Sequence, residues 1–290
     1  MPLFFVVSGH LASGKHRPAG ATLAKLIPTI VYPYFLWSIL EGLALVYLSK
    51  YTTSHEPISA LFKILWIPIV PYWFLYALFF CHIGYLFIRK LSHRVQLAIA
   101  IVIFLAPQFF LGPLFSVHLL IVAETVRGFL YFIFGVVSVS LVRQFGRWVA
   151  IAATVLFILF AIVDYQSQFP GALSAPAALP AGIAGIIATL AWSRMLASRG
   201  GWFAAMIAFW GRYSMSIYVM HIFFTAGTRI ALKRLPFAAS QPSAGPTMAA
   251  TALEIAAATV AGIALPLAIN WVVSKFDLDR WFGLQHMEAA

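Results

Sequence analysis

Apolar residues run along this chain in long, nearly uninterrupted segments, separated by short joints that hold most of the basic residues together with Pro and Gly. Nine segments stand out: residues 2–13, 26–48, 71–88, 95–112, 127–142, 147–164, 177–193, 213–232 and 248–273. Most reach the roughly 17 to 25 residues that a helix needs to cross a bilayer. The pattern predicts an all-α, polytopic transmembrane bundle of about nine spans. Segment 127–142 is marginal by itself, and the run LFSVHLLIVA ahead of it either lies in the interface or extends the span.

Composition narrows the class. Of 290 residues, 62% are hydrophobic and 9% charged, whereas soluble domains carry roughly a quarter charged residues. There is too little polar surface to cover a globule in water, so a soluble enzyme is excluded. Nineteen Lys and Arg oppose eight Asp and Glu. That excess is what orientation by cytoplasmic basic residues produces, and no nucleic-acid partner is expected. Alternating the joints between two sides puts thirteen Lys and Arg on one side and six on the other, which makes the first side cytoplasmic and places the C-terminus there. The expected organisation is a transmembrane domain over 1–275 and a cytoplasmic tail over 276–290, in a bacterial inner (plasma) membrane. The single cysteine, Cys81, can form no intrachain disulfide.

An odd number of spans strands the N-terminus outside, although MPLFFVVSGH has no basic start of a cleavable signal peptide. Met1 to Leu11 as a helix extends about 16 Å, roughly half the hydrocarbon thickness of about 30 Å. Both features raise the expectation that upstream sequence completes this helix and adds a span; a re-entrant first segment is the alternative.

Hydrogen-bonding groups inside lipid are costly and mark candidate sites. In segment 213–232, Ser214, Tyr218, His221, Thr225 and Thr228 stand at i, i+4, i+7, i+11 and i+14 and share one helix face. Interhelical hydrogen bonding and a functional role are equal alternatives for the Ser and Thr positions, whereas an imidazole at position 221 suits proton transfer. In segment 26–48, Tyr34, Ser38 and Glu41 repeat the spacing, and Glu41 is the only acid well inside a span. It demands an interior polar partner. Pro28 and Pro33 free backbone carbonyls there, which predicts a bent helix. The joint GKHRPAGATLAK carries Lys15, His16, Arg17 and Lys25 just after His10. Such a cluster can hold phosphates, and it is equally what the orientation rule places there. Trp66 and Trp73 flank the third span as interfacial anchors. No phosphate loop, Gly-x-Ser-x-Gly elbow or metal-ligand spacing occurs, so ATP-driven and serine-hydrolase chemistry lack support and no metal is expected.

These residues form a familiar order. MPLFFVVSGHL, a basic joint and LIPTIVYPYFLWSIL resemble the opening of membrane acyltransferase family 3, including its fucose 4-O-acetylase-like members. PYWFLYALFF is similar to that family's WFLxxL span, YFIFGVV to its FxxGxx span, and GRYSMSIYVMH to its GxxSxxIYxxH late span. The resemblance covers essentially the whole chain. It implies a bundle of about ten spans that moves an acyl group, usually acetyl, from cytoplasmic acyl-CoA to a hydroxyl of a sugar, polysaccharide or lipid-linked glycan. No permanently bound cofactor is implied; acyl-CoA serves as donor substrate. Arg17 and Lys25 fall in the joint where the family places donor-handling charges, and His221 ends the late-span motif. His10 stands where Tyr or Phe is commoner in the family. The family also has a preceding helix with an Arg and an intramembrane His, and this sequence starts after the point where that helix would end. The expected catalytic set is His221, His10, Glu41 and Tyr218. The expected donor- or substrate-binding set is Lys15, Arg17, Lys25, Ser214, Tyr34 and Trp73. The competing class is a transporter or flippase in which Glu41 and His221 relay protons.

Overall fold

The structure is a computed structural model that describes residues 1–14, 18–47, 62, 64–65, 68–69, 71–110, 120–138, 145–167, 178–233 and 248–284. Among the described residues each apolar segment of the sequence is mainly helical. The elements are α1 (Pro2–Ser13), α2 (Ala19–Tyr47), α3 (Trp73–Ile88), α4 (His93–Phe110), α5 (Leu120–Val137), α6 (Arg147–Ser167), α7 (Ala178–Arg199), α8 (Trp202–Arg212), α9 (Ser214–Lys233) and α10 (Met248–Lys275). Among the described residues five helices are long and apolar enough to cross a membrane, from α2, α6, α7, α9 and α10, and α1, α3 and α4 contribute shorter apolar helices. Against the nine spans expected, the described residues thus show five full-length candidates plus shorter apolar helices. α5 begins at Leu120 rather than at 127, so part of LFSVHLLIVA extends the helix and brings Glu124 and Arg127 inside it, paired at 2.9 Å. α8 falls within a stretch that the apolar pattern leaves as a joint.

The chain divides into two compact units. The first holds Met1–Thr22 and Ala77–Met206, and the second holds Leu23–Tyr76 and Ile207–Ala290. In the first, α1 lies along α5, α4 also packs on α5, and α6 pairs with α7. The α1–α5 approach is backbone to backbone. A Cβ at Gly9 would collide with the Phe132 carbonyl oxygen, and one at Gly135 with the Val6 carbonyl oxygen. Only glycine permits helices to come this close. The end of α3 is held by Gln96, whose side-chain amide donates to the carbonyls of Ile88, Arg89 and Leu91 at 2.9 to 3.3 Å.

In the second unit, α9 packs along α10. The buried line of α10 is Ala258, Gly262, Pro266, Asn270 and Ser274, an i, i+4 series of mostly small residues. α2 passes through a π turn at Ile27–Val31, bracketed by Pro28 and Pro33. The bend expected from the two prolines takes that form, because neither ring nitrogen can donate to the helix ladder. Past α10, residues 276–284 fold back on α2. The Tyr32 hydroxyl donates to the Trp281 carbonyl at 2.6 Å, and the Trp37 indole N–H to the Phe282 carbonyl at 3.0 Å.

Candidate functional site

The polar groups of the second unit converge where the joint before α3 meets α2 and α9. Ile64 and Tyr72, both in or at the end of that joint, are buried, with Tyr72 fully so. The Tyr34 hydroxyl donates to the Ile64 carbonyl at 2.5 Å. Tyr34 lies thirteen residues before the end of α2, about 20 Å at 1.5 Å per residue. Ile64 therefore stands well below the end of that helix. A backbone carbonyl at such depth needs a donor, and phenols supply the hydrogens on apolar stems. Tyr218 donates to the Pro71 carbonyl at 2.5 Å, and Tyr72 donates to the Val219 carbonyl at 2.8 Å.

Glu41 sits against this clasp. It is 6% exposed, its carboxyl faces the Tyr72 hydroxyl, and the Tyr218 phenol is its next electrostatic neighbour. The polar group facing Glu41 is thus the Tyr72 hydroxyl, whose one hydrogen goes to the Val219 carbonyl. The rings of Tyr72 and Tyr218 meet edge to face at 6.4 Å, and Phe74 closes on Tyr218 at 5.6 Å. Glu41 Oε2 and, one turn away, Ser38 Oγ are buried without a hydrogen-bond partner.

One turn along α9, His221 Nδ1 lies 2.7 Å from the carbonyl oxygen of Tyr218. A carbonyl can only accept, so Nδ1 carries the hydrogen, and in the neutral ring Nε2 presents a lone pair. The ring is half-buried and lies 6.2 Å from that of Tyr218. Gly262 of α10 fits beside it: an added Cβ would stand 2.6 Å from Thr225 Cγ2 and 3.7 Å from His221 Cβ. Held by its own helix and backed by α10, the imidazole is oriented without using its basic nitrogen.

The other expected site residues are distributed as follows. Ser214 is half-buried and opens α9; Thr225 and Thr228 are half-buried on the same helix. The shared polar face is therefore partly covered, while the fully buried positions of α9 are Ser216, Val219 and Met220 on its opposite side. Trp73 is half-buried at the start of α3, edge to face with Phe74 at 6.4 Å. Lys25 is exposed on α2. His10 is exposed in the last turn of α1 and belongs to the first unit. Lys15, His16, Arg17 and Trp66 lie outside the described residues. Sequence reasoning singled out Glu41, Tyr218 and His221 but passed over Tyr72. Its signal was a phenol directly after Pro71 at the head of an apolar segment, where a hydroxyl must find an acceptor. Among the described residues no group of three His, Cys, Asp or Glu side chains could hold a metal ion.

The acyltransferase family 3 profile, an acyltransferase domain, covers residues 1–271, and the chain belongs to that family of membrane acyltransferases. No curated protein and no solved structure matches it.

Proposed function

We propose that the protein is an integral-membrane O-acyltransferase that moves an acyl group, acetyl in the first instance, from acyl-CoA to a hydroxyl of a sugar, polysaccharide or lipid-linked glycan. The observation that carries the reading is His221, whose Nδ1–H is committed to the Tyr218 carbonyl while Nε2 is left as a base. Nε2 takes the proton of the acceptor hydroxyl as its oxygen attacks the thioester carbonyl. The tetrahedral intermediate then collapses, the C–S bond breaks, and the CoA thiolate leaves with the proton returned from Nε2. The thioester is already activated, so this sequence consumes no nucleotide.

Tyr218 acts here through position. Its phenol hydrogen is engaged by Pro71 and its carbonyl steers His221. Tyr72 braces both Glu41 and the backbone of α9. Lys15, Arg17 and Lys25 are assigned to the phosphates of the donor, on the chemistry of clustered cations with phosphate oxygens. Phospholipid vesicles containing the protein, labelled acetyl-CoA and a mixed glycan acceptor test the reading directly. Label transferred to the acceptor, lost in His221→Ala, supports it. Intact labelled donor with wild-type protein across acceptors of all three kinds counts against it. Arg17→Glu should weaken donor binding in a salt-sensitive way; unchanged donor affinity would remove that joint from the site.

A further inference from the structure

α8 buries none of its side chains. At 100° per residue Trp202, Phe203, Met206, Ile207, Phe209 and Trp210 occupy one arc, while Ala204, Ala208 and Gly211 lie on the opposite one. Trp202 is 78% exposed, and Phe203 and Phe209 are each more than 40% exposed. Eleven residues extend about 16 Å, half of what a crossing needs. Its neighbours α7 and α9 are both long enough to cross. Between two helices of crossing length the chain thus carries one too short to cross, with its aromatic residues bare. In water that arc would be an adhesive patch.

The joints on either side fit a change of direction. Gly200 and Gly201 have φ of +67° and +90°, a conformation that other residues rarely adopt, and they end α7. A turn at Tyr213 separates α8 from α9. Exposed Arg199 and Arg212 stand near the two ends of α8. We propose that α8 lies in the plane of the membrane, its bulky arc seated at the boundary of headgroups and acyl chains and its flanking arginines on the phosphates of anionic lipids. The chemistry is that of interfacial helices: aromatic rings favour the headgroup level, and guanidinium groups pair with phosphate oxygens.

Spin labels introduced singly at Phe203, Ile207, Ala204 and Ala208 of the full chain carrying Cys81→Ala test this in phosphatidylcholine vesicles with and without phosphatidylglycerol. Labels at 203 and 207 should collide with oxygen, resist a water-soluble nickel chelate and report one common depth, and labels at 204 and 208 should show the reverse preference. Phosphatidylglycerol should slow the labels, and the double substitution Arg199→Gln, Arg212→Gln should abolish that slowing. Depth that increases steadily along the helix, equal nickel access at all four positions, or shielding of all four from both reagents would each overturn the proposal. Slowing that persists in the double arginine variant would overturn its anionic-lipid part. Should Cys81→Ala not fold, brominated-lipid quenching of tryptophan fluorescence decides the matter in the unaltered background. Trp202→Phe with Trp210→Phe should remove a component quenched by shallow bromines, and an unchanged quenching profile would refute the placement.

Discussion

Tyr72 and Tyr218 are linked reciprocally: each phenol donates to the carbonyl of the residue beside the other tyrosine, Tyr72 to Val219 and Tyr218 to Pro71, across 147 positions of sequence. The pair fastens the head of α3 to the first turns of α9, and Glu41 and His221 are the titratable side chains that flank it.

Tyr72→Phe and Tyr218→Phe should each lower stability by about 1 kcal/mol, near the upper range for hydrogen bonds in membrane proteins, where the average is about 0.6. Because both bonds close one joint, the double variant should lose less than the sum of the two. Thermal unfolding in micelles reads this, and strict additivity would show that the bonds act independently.

His221→Ala and His221→Asn separate base from scaffold. The asparagine amide can still donate to the Tyr218 carbonyl but offers no basic nitrogen. Both should lower acyl transfer by about 10²- to 10⁴-fold, the usual contribution of a general base, with little change in unfolding temperature. Substantial activity in the asparagine variant would reduce the ring to a positioning role.

Glu41→Gln should fold, since an amide keeps the shape and can hydrogen-bond the Tyr72 hydroxyl, whereas Glu41→Ala removes the partner and leaves a void. Yield of folded protein by size exclusion should therefore fall in the alanine variant and hold in the glutamine one. Equal losses in both would mean that the negative charge itself maintains the fold.

Gly9→Ala and Gly135→Ala should each be severely destabilising, by about 2 kcal/mol or more, because the atoms in the way are backbone carbonyls that no rotamer change can move. Gly14→Ala, where nothing lies within 4 Å, is the matched control and should be near neutral. Comparable unfolding temperatures for all three would place α1 farther from α5.

Arg229 and Glu254 pair at 2.8 Å between α9 and α10, with side chains 59% and 25% exposed. An ion pair so open to its surroundings contributes under about 1 kcal/mol. Arg229→Gln should leave the unfolding midpoint within a few degrees of wild type, and a larger drop would reveal a buried role for the pair.

Much of this architecture can be read from periodicity, because a helix in lipid must announce itself by length and apolarity. The polar spacing that grouped Ser214, Tyr218, His221 and Thr225 located one face of α9. It could not tell that the more deeply buried side is the other, lined by Ser216, Val219 and Met220, since burial depends on neighbours far along the chain. Glu41 advertised its need for a partner by being an acid in an apolar segment. The identity of that partner, Tyr72, arises from contact between distant segments and leaves no local trace. α8 escaped notice for a different reason: ten residues without a charge are too few to register as a span, and the arginines around them read as an ordinary joint. The family resemblance covers essentially the whole chain, and the profile match covers residues 1–271.

The fold-back of residues 276–284 onto α2 sets the order in which this protein can be finished. The acceptors for the Tyr32 hydroxyl and Trp37 indole of α2 are the carbonyls of Trp281 and Phe282, made 249 and 245 positions later. Until those last turns are synthesised, two donors on the helix that bears Glu41 have no native acceptor. Insertion of α2 into the membrane and the pairing of these two donors are therefore separate events, 245 or more residues of synthesis apart.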